Sequence, residues 1–403
     1  MNFPKTMSSW RKMFNFKLKT HLVFGAATSE QLGKILTELG YRKVGIILDR
    51  GIVAHPQTRK ALESIKAAQV AYQTFENDAI EPDYDFLEAF KKPFLNQGFE
   101  CLVGIGGGST LDLTKGVATL VTNPGEAISY RGFPKLQHRP LPVVAIPTTA
   151  GTGSEVTYNA VFTDAKQKKK LGINSEYNYP VQAILDPLFT VGCPKAVTVS
   201  SGADALVHTL ESYVHKNHTP VSRMYSTEAF RLLYNNLNKV LDHPQDIEIR
   251  GHLALGAYLA GAALINAGSG PSGAFSYPLG AVYKVPHGYA GAIFLPEITR
   301  LNVEKGYQDY AALYDLMEGA DKKLAVKEKN SEFVKRIAEL MTKLDVPKAI
   351  AAYKLTDKDA EFLIEQYDVL KAAIDQNPME ITKEDVRKMM TKIFHPGGTY
   401  ARV

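Results

Sequence analysis

The chain has 403 residues, of which 45% are hydrophobic and 22% are charged. That length is sufficient for two domains with separate cores, and the composition is ordinary for a globular protein. The formal net charge is only +5, and acidic and basic residues are spread along the whole chain. These values give little support to a nucleic-acid-binding protein, which concentrates positive charge on one surface.

The cysteine content and the hydropathy of the sequence narrow the class of protein further. The two cysteines, Cys101 and Cys193, are far apart and form neither a disulfide framework nor a zinc motif. No stretch approaches the roughly 18 consecutive apolar residues of a membrane span. The first residues lack the uninterrupted apolar core of a secretory signal. We therefore expect a cytoplasmic protein without a membrane segment.

The first half of the chain alternates short apolar runs with helical patterns. The runs at 43–49, 71–76, 101–107 and 141–149 predict strands, and the segments 56–68, 85–98 and 112–122 predict the helices between them. Strands that alternate with helices pair in parallel through crossovers, so this half predicts an α/β sheet covered on both faces.

The second half is helical in its periodicity. The patterns lie at 200–216, 222–241, 247–266, 331–344, 357–374 and 383–394. The turn-forming segment 186–202 separates the part of the chain with alternating strand and helix patterns from the part with helical patterns only. We predict an α/β domain at 1–190 and an all-helical domain at 191–403. A cleft between two such domains is a natural place for a ligand.

A glycine-rich strand end is the first chemical signal. The segment 104–116, "GIGGGSTLDLTKG", runs from an apolar strand through Gly107 and Gly108 into a helix. A backbone without Cβ atoms can approach a ligand closely, and the amides and dipole of a helix start favour phosphate. Ser109 suits the N-cap of that helix. The motif is neither GxGxxG nor a P-loop, so a purely structural turn is the alternative.

A second strand end carries hydroxyl groups. The segment 146–157, "IPTTAGTGSEVT", offers Thr148, Thr149, Thr152 and Ser154 at the carboxyl edge of the sheet, where α/β folds bind ligands. Asp49 ends an earlier strand. Its carboxylate suits an adenosine ribose and would repel a 2′-phosphate, although a turn-capping role explains it equally well.

Candidate metal ligands lie in the second half. Asp204 and His208 are spaced i,i+4 on a predicted helix and share one face. His287 stands between proline and glycine, which predicts a turn. A carboxylate with imidazoles suits divalent iron, zinc or manganese, but such a pair alone is more often structural. We interpret five other histidines as surface or capping residues: His215, His218, His243, His252 and His395.

Together these motifs resemble one family, the iron-containing (group III) alcohol dehydrogenases. The matching blocks are "GGGSTLDLTKG", "PTTAGTGSEVT", "DPLFT", "SSGADALVHTLESYV" and "YPLGAVYKVPHGYAGAIFLPEI". The resemblance implies a Rossmann-like N-terminal domain, a helical C-terminal domain, and a nicotinamide dinucleotide held beside a metal ion. It also suggests a homodimer or a larger homo-oligomer.

The resemblance assigns roles residue by residue. It implies NAD as the cofactor, with NADP possible, and a divalent metal, Fe or Zn. The cofactor-binding residues that it implies are Asp49, which favours NAD, Gly107, Gly108 and Ser109 at the pyrophosphate, Asp112 at the start of the next helix, Thr148, Thr149, and Lys170 near the ribose. The metal ligands that it implies are Asp204, His208 and His287.

The family's fourth metal ligand is a histidine, and its position falls on Gly273. A second common histidine, near the nicotinamide, is Tyr277 here. The segment "AFSYPLG" is similar to a "HALSYPL" subgroup that acts on phosphonoaldehydes and sugar-like alcohols and also has this tyrosine. Three outcomes stay open: three protein ligands plus water or substrate, a substitute ligand such as Ser272 or Ser276, or an empty site.

We therefore predict an NAD(P)-dependent alcohol dehydrogenase or aldehyde reductase for a small alcohol or aldehyde, in which a metal polarises the substrate oxygen. Without a metal, Tyr277 or His287 would do so by hydrogen bonding. The basic run at 166–170 favours either an anionic substrate or a solvated turn. The alternatives are a lyase of the dehydroquinate synthase type and a non-catalytic NAD-binding homologue with a decayed metal site.

Overall fold

The computed structural model describes residues 13–167 and 169–394. These residues form two compact units. One unit comprises Leu18–Thr198 and Asp242–Tyr258, and the other comprises Val199–Leu241, Leu259 onward and the segment up to Lys17. The predicted boundary between residues 190 and 191 lies before this division. The sequence also offers no sign that 242–258 rejoins the first unit, because a helix pattern does not report its packing partner.

The first unit is built on a parallel sheet, as predicted from the alternating elements. Its six strands are ordered β1-β10-β5-β4-β2-β3, and each neighbouring pair is parallel. They are β1 (His21–Phe24), β2 (Lys43–Asp49), β3 (Ala71–Asn77), β4 (Cys101–Gly106), β5 (Val143–Pro147) and β10 (Gln182–Leu185). Two short antiparallel pairs lie outside this sheet: β6 (Asn159–Ala160) with β9 (Ile173–Asn174), and β7 (Thr163–Asp164) with β8 (Lys169–Lys170).

Four helices accompany this sheet: α1 (Leu32–Glu38), α2 (Pro56–Ala67), α3 (Tyr84–Phe90) and α4 (Gly108–Thr122). The helix predicted over 85–98 was too long. It ends at Phe90 and is followed by a 3-10 turn over Lys92–Phe94. Pro93 explains the early end, because proline disfavours helical conformation in the residue before it and has no amide hydrogen.

Side chains of the central strands alternate between two cores. Ile46 and Leu48 pack on one face of the sheet with residues of α1 and α2, whereas Ile47 packs on the other face with residues of α3 and α4. This alternation follows from the two-residue period of a strand. Because both faces are covered, the ligand-binding surface of such a sheet is its carboxyl edge.

The second unit is helical. Helices α5 to α17 are α5 (Lys195–Val214), α6 (Pro220–Leu237), α7 (Lys239–Asp242), α8 (Ile247–Ala267), α9 (Pro271–Tyr283), α10 (His287–Ala292), α11 (Leu295–Glu304), α12 (Tyr310–Tyr314), α13 (Val326–Lys343), α14 (Val346–Ala351), α15 (Asp357–Glu365), α16 (Tyr367–Ile374) and α17 (Lys383–Phe394). The first residues of α5 and the first part of α8 belong to the α/β unit. Two predicted helices are each divided in two, at Asn238 and at Gln366.

Within the described residues, no single helix combines the length and the hydropathy of a membrane span. Helices α8 and α9 reach those values only as a pair, and that pair is bent by 103°.

Candidate functional site

The glycine turn joins β4 to α4 at the carboxyl edge of the sheet. Gly107 is the N-cap and Gly108 the first helical residue, so the prediction of Ser109 as N-cap is wrong. Ser109 lies in the first turn, and its hydroxyl donates to the carbonyl of Ile80. The amides of Gly108 and Ser109 precede the first hydrogen bond of the helix, from Thr110 N to Gly107 O at 3.0 Å. Such amides are suited to an anion.

The threonine-rich loop lies directly against this turn. Thr148 N donates to Gly106 O at 3.0 Å. A Cβ atom on Gly108 would stand 2.5 Å from Thr152 Cγ2, and one on Gly107 would stand 3.5 Å from Thr149. The two loops that the sequence singled out are therefore neighbours, and their close approach needs a residue without a Cβ atom at Gly108.

Asp49 lies beside the turn, at the end of β2. Strand β2 pairs with both β3 and β4, so the chain reverses its direction across the sheet between β2 and β4. Open α/β sheets bind ligands at such a switch point. A Cβ atom on Gly106 would stand 2.9 Å from Asp49 Cβ. The Asp49 carboxylate also accepts a hydrogen bond from Gly51 N at 2.8 Å, so the residue caps a turn at the edge where a ribose would lie.

Asp112 occupies a different position from the one predicted. It lies inside α4 rather than at its start. Its carboxylate accepts hydrogen bonds from Ser154 Oγ at 2.5 Å and from Val161 N at 3.0 Å, and it pairs with Lys115 Nζ at 3.0 Å. Asp112 therefore attaches the threonine-rich loop to the helix, and its predicted part in cofactor binding stays a prediction.

Lys115 is a structural residue that the sequence interpretation missed. It is fully buried, and its ammonium donates to the carbonyls of Ser154 (3.0 Å), Thr157 (3.4 Å) and Asn159. Burial lowers its pKa, and the carboxylate of Asp112 opposes that effect. Burial also raises the pKa of the neighbouring Glu155 to about 7. The i,i+3 spacing of Asp112 and Lys115 was the signal available in the sequence.

Lys170 has a partner in the α/β unit. Its ammonium lies 2.9 Å from Glu81 Oε1, and its side chain is largely buried. Residues 165–167 form a turn after β7, and Lys169 precedes Lys170 in β8. The expectation of a solvated turn holds for Lys166 and Gln167, which are exposed, whereas Lys169 and Lys170 belong to β8. Lys168 lies outside the described residues. The predicted contact between Lys170 and a ribose stays a prediction.

The candidate metal ligands converge in the helical unit. Asp204 and His208 lie on α5, and His287 is the first residue of α10, not part of an isolated turn. One potential ligand atom of each lies within 4.8 Å of the others. Asp204 Oδ1 is 3.6 Å from His208 Nε2 and 3.8 Å from His287 Nε2, and both separations are too long for a hydrogen bond.

These separations are close to those around a shared cation, the one to His287 being slightly longer. A tetrahedral ion with bonds of about 2.0–2.2 Å holds its ligand atoms roughly 3.3–3.6 Å apart. One carboxylate and two imidazoles are a donor set that iron and zinc both accept. Asp204 is 4% and His208 9% exposed, and a carboxylate buried beside imidazoles without hydrogen bonds to them favours a positive ion at their centre.

The ring of His287 is oriented by α9. Its Nδ1 lies 3.1 Å from Ser276 Oγ, and that hydroxyl also donates to Gly273 O at 2.6 Å. Tyr277 contacts the same imidazole, with ring centroids 5.5 Å apart. Ser276 was considered only as a substitute ligand at the sequence level, whereas the structure places it on the nitrogen that faces away from Asp204.

Glu211 lies where α5 meets the start of α9, and the sequence interpretation missed it. It is buried, and its carboxylate accepts from Gly270 N (2.7 Å), Gly273 N (3.1 Å) and Ser269 Oγ (2.9 Å). Burial raises its pKa. A Cβ atom on Gly273 would stand 2.3 Å from Ser269 Oγ and 3.0 Å from Glu211 Oε2. The space beside Gly273 is thus filled by the hydrogen bond between Glu211 and Ser269.

Three other residues named in the sequence analysis contribute nothing to this site that the structure shows. Ser272 is buried, and its hydroxyl has no hydrogen-bond partner within residues 13–167 and 169–394. His215 accepts from Asn217 N at 3.0 Å after the end of α5, in keeping with a capping role. Burial lowers the pKa of His215 to about 4. His395 lies outside the described residues.

Comparisons with known proteins identify the family of the chain. Residues 19–187 match the family model "Iron-containing alcohol dehydrogenase", and residues 198–394 match "Fe-containing alcohol dehydrogenase family, C-terminal". The 1,3-propanediol dehydrogenase of Citrobacter freundii is 30% identical over 391 residues, which cover 95% of this chain and 98% of the relative. The NAD-dependent methanol dehydrogenase of Bacillus methanolicus is 29% identical over 94% of this chain and 99% of its own length.

A solved structure supports the same assignment. The crystal structure of a 1,3-propanediol oxidoreductase superposes with a TM-score of 0.89 and 28% sequence identity, covering 95% of this chain and 100% of that protein. Because the two family models match segments that carry the glycine turn and the ligand helix respectively, the chain belongs to the iron-containing alcohol dehydrogenase family and is an oxidoreductase.

Proposed function

We propose that the protein is a metal-assisted, NAD(H)-dependent alcohol dehydrogenase or aldehyde reductase that transfers hydride between a small alcohol and C4 of the nicotinamide. One observation carries the proposal: Asp204, His208 and His287 direct ligand atoms to one point although His287 is distant in sequence. A buried carboxylate that lies 3.6 and 3.8 Å from the nitrogens of two imidazoles, too far for a hydrogen bond to either, supports a bound ion more than it supports chance packing.

The α/β unit would hold the dinucleotide. The amides of Gly108 and Ser109 face the pyrophosphate, with Thr148 and Thr149 beside it, and Asp49 accepts hydrogen bonds from the adenosine ribose. The adjacency of the glycine turn, the threonine-rich loop and Asp49 at the switch point of the sheet supports this arrangement. A carboxylate at Asp49 favours NAD over NADP, because it repels a 2′-phosphate.

The helical unit would hold a divalent metal through three protein ligands. A bound ion of this kind acts as a Lewis acid on the substrate oxygen. The chain itself supplies the rest: Asp204 provides the negative charge, and His208 and His287 provide neutral imidazoles. Gly273 contributes no ligand, so a coordination position is left for water or substrate, as in catalytic sites with three protein ligands.

The substrate we propose is a small alcohol or aldehyde. Tyr277, whose ring contacts that of His287, borders the side of the site where such a molecule would bind, and its hydroxyl can donate to a substrate oxygen. The sequence similarity of "AFSYPLG" to a subgroup that acts on anionic and sugar-like compounds makes those compounds the first to test.

The decisive experiment measures metal content and NADH oxidation together. Purified protein is stripped with a chelator, reloaded with Fe²⁺ or Zn²⁺, and assayed against neutral, hydroxylated and phosphonate-bearing aldehydes. We expect activity to require the metal and to fall at least about 100-fold in Asp204→Ala, since it loses the charged ligand. Asp309→Ala, which removes an ion pair with Arg223 in the same unit, is the control.

Gly273 supports a second candidate function, that of a non-catalytic NAD-binding homologue whose metal site has decayed. If the three-ligand site had decayed, the protein would bind NAD without turnover and without metal. Full activity in metal-free protein would instead indicate a metal-independent reductase, in which Tyr277 or His287 polarises the oxygen. Either result would contradict the proposed metal-assisted reaction.

We further propose that the enzyme is cytoplasmic and works as a homodimer or a larger homo-oligomer, in line with the family resemblance. Light scattering of the purified protein measures its mass, and a monomer at assay concentration would contradict the second part.

A further inference from the structure

We propose that Ser276 is a positioning residue for the metal: it fixes the tautomer and the orientation of His287, so that Nε2 of this imidazole carries the lone pair toward Asp204 and His208. This inference rests on the proposed metal-assisted function. It concerns a residue that is not itself a ligand, and it replaces the earlier idea that Ser276 could substitute for the missing fourth ligand.

The proton count at Ser276 gives the direction of the contact. A hydroxyl has one proton to donate. Ser276 Oγ lies 2.6 Å from Gly273 O, which can only accept, so its proton is directed to that carbonyl. The contact of 3.1 Å with His287 Nδ1 must then be a hydrogen bond that Nδ1–H donates to the hydroxyl oxygen. In the neutral imidazole, Nε2 is therefore the nitrogen with the lone pair.

That nitrogen faces the other two ligands. His287 Nε2 is the atom 3.8 Å from Asp204 Oδ1. A metal-binding histidine is commonly held by a hydrogen bond from its other nitrogen, which sets the tautomer and aims the ring. Ser276 fills that role for His287. By contrast, His208 Nδ1 has no hydrogen-bond partner in the described part of the chain. Of the two histidines, we therefore infer that His287 is the one whose tautomer is set by a side chain, that of Ser276.

The acceptor is held rigidly because α9 is anchored to the ligand helix. Glu211 lies on α5 with Asp204 and His208, and its carboxylate accepts hydrogen bonds from the first turn of α9 at Gly270 and Gly273. Ser276, one turn further on, is fully buried. One helix therefore carries two ligands and also anchors the helix that orients the third.

Gly273 belongs to this arrangement. A side chain there would displace the Ser269 hydroxyl, which stands 2.3 Å from the position of a Cβ atom and hydrogen-bonds to Glu211. The chain thus has glycine at the position of the fourth ligand and an anchored α9. With only three protein ligands, metal binding depends more strongly on the orientation of each.

Ser272 provides a matched control. It lies four positions before Ser276 on the same helix and is equally buried, but its hydroxyl has no hydrogen-bond partner among the described residues. Ser272→Ala and Ser276→Ala therefore remove the same group from the same helix, and only the second removes a contact with His287.

The experiment titrates chelator-stripped protein with Co²⁺, which reports its coordination through visible absorption, and measures the dissociation constant by competition with a chelator. Ser276→Ala should weaken Co²⁺ binding about 10–100-fold and alter the absorption bands, as expected when the partner of a ligating histidine is removed. Ser272→Ala should bind Co²⁺ within about twofold of wild type, because no hydrogen bond is lost.

A double-mutant cycle with His287→Ala shows whether Ser276 acts through His287. If it does, Ser276→Ala should add no further loss in the His287→Ala background. This comparison stays valid if Ser276→Ala lowers the general stability, since such a defect would appear in both backgrounds.

The outcomes are distinct. Equal Co²⁺ affinity in Ser276→Ala and wild type overturns this inference and leaves the proposed function intact, and so does an equal loss in Ser272→Ala. An additive cycle also overturns it, because the effect then bypasses His287. Wild-type protein that binds no Co²⁺ overturns the metal-assisted function, and this inference with it.

Discussion

The two units build their candidate sites in different ways. In the α/β unit the site consists mainly of backbone at the ends of β4 and β5, and the buried cation Lys115 holds its loops together through carbonyl groups. In the helical unit the site consists of side chains on α5 and α10. There the buried anion Glu211 holds the adjoining helix through amide groups.

The two buried charges are also neutralised differently. Lys115 has a counter-ion, Asp112, at 3.0 Å. Glu211 instead lies at the start of α9 and accepts backbone hydrogen bonds there, where the helix dipole favours a negative charge. When one member of a buried ion pair is removed, the other is left as an uncompensated charge, and the protein loses much stability. When a charge balanced by backbone amides is removed, no opposite charge is left behind. The predictions below test this difference.

The largest effect is expected for Lys115→Met. It leaves Asp112, whose side chain is 14% exposed, without its counter-ion and removes donors from the carbonyls of Ser154 and Thr157. The free energy of unfolding should fall by about 3–5 kcal/mol, as for other broken buried pairs. Denaturant unfolding measures this loss. Lys60→Met, which breaks an exposed pair with Glu30, is the control, and an equal shift in both variants would contradict the role of burial.

The next effect concerns Glu155 and pH. Burial raises the pKa of this carboxyl to about 7, from 4.5. Between these values the folded protein keeps a proton that the unfolded chain releases, so wild-type stability falls as pH rises through this window. Relative to Glu155→Gln, wild type should lose on the order of 3 kcal/mol between pH 4.5 and 7. Thermal unfolding at several pH values measures it, and parallel curves for the two proteins would exclude it.

A smaller loss is expected for Glu211→Gln. The amide that replaces one carboxylate oxygen cannot accept a hydrogen bond at that position, so one of the groups at the start of α9 loses its acceptor. The free energy of unfolding should fall by about 1–3 kcal/mol. Glu228→Gln, an exposed residue paired with Arg231 on α6, should leave the unfolding midpoint unchanged. A larger loss of unfolding free energy in Glu211→Gln than in Lys115→Met would contradict the idea that a buried ion pair is more sensitive to substitution than a charge balanced by amides.

The smallest effects separate two adjacent glycines. In Gly108→Ala the new Cβ atom would stand 2.5 Å from Thr152 Cγ2, and such overpacking should cost about 1–3 kcal/mol of stability. In Gly107→Ala the nearest atoms lie at 3.5 Å, so stability should change by less than about 1 kcal/mol.

The same pair tests the proposed cofactor site. Gly107→Ala should weaken NADH binding, measured by fluorescence titration, because its methyl group lies between the two loops that we propose hold the pyrophosphate. Unchanged NADH affinity in a stable Gly107→Ala variant would remove that loop from the site.

Local patterns predicted much of the fold and of the site. The alternating strands and helices predicted the parallel sheet, and this prediction is confirmed because hydrophobic periodicity follows directly from the geometry of each element. The glycine turn and the Asp204–His208 pair were also visible, since their residues are close in sequence. The N-cap at Ser109 and the helix over 85–98 were wrong, because backbone preferences at Gly107 and Pro93 outweighed the pattern.

Long-range contacts were not visible in the sequence. Nothing near Ser276 indicates that it contacts the His287 imidazole, and nothing near Glu211 indicates that it accepts from Gly270. Lys115 and Asp112 appeared only as part of a helix motif, and their role depends on where the chain returns at Ser154. These assignments require the positions of atoms that different elements bring together.

The sequence by itself determined the class of the four central strands and of most long helices, the residue types suited to phosphate and to a metal, and the absence of a side chain at Gly273. Tertiary structure alone decided that three candidate ligands from α5 and α10 meet, that Glu211 anchors the start of α9, and that Ser276 on α9 contacts His287. The physical reason is that periodicity and spacing act over one or two turns, whereas hydrogen bonds and coordination depend on distances of a few ångströms between distant segments.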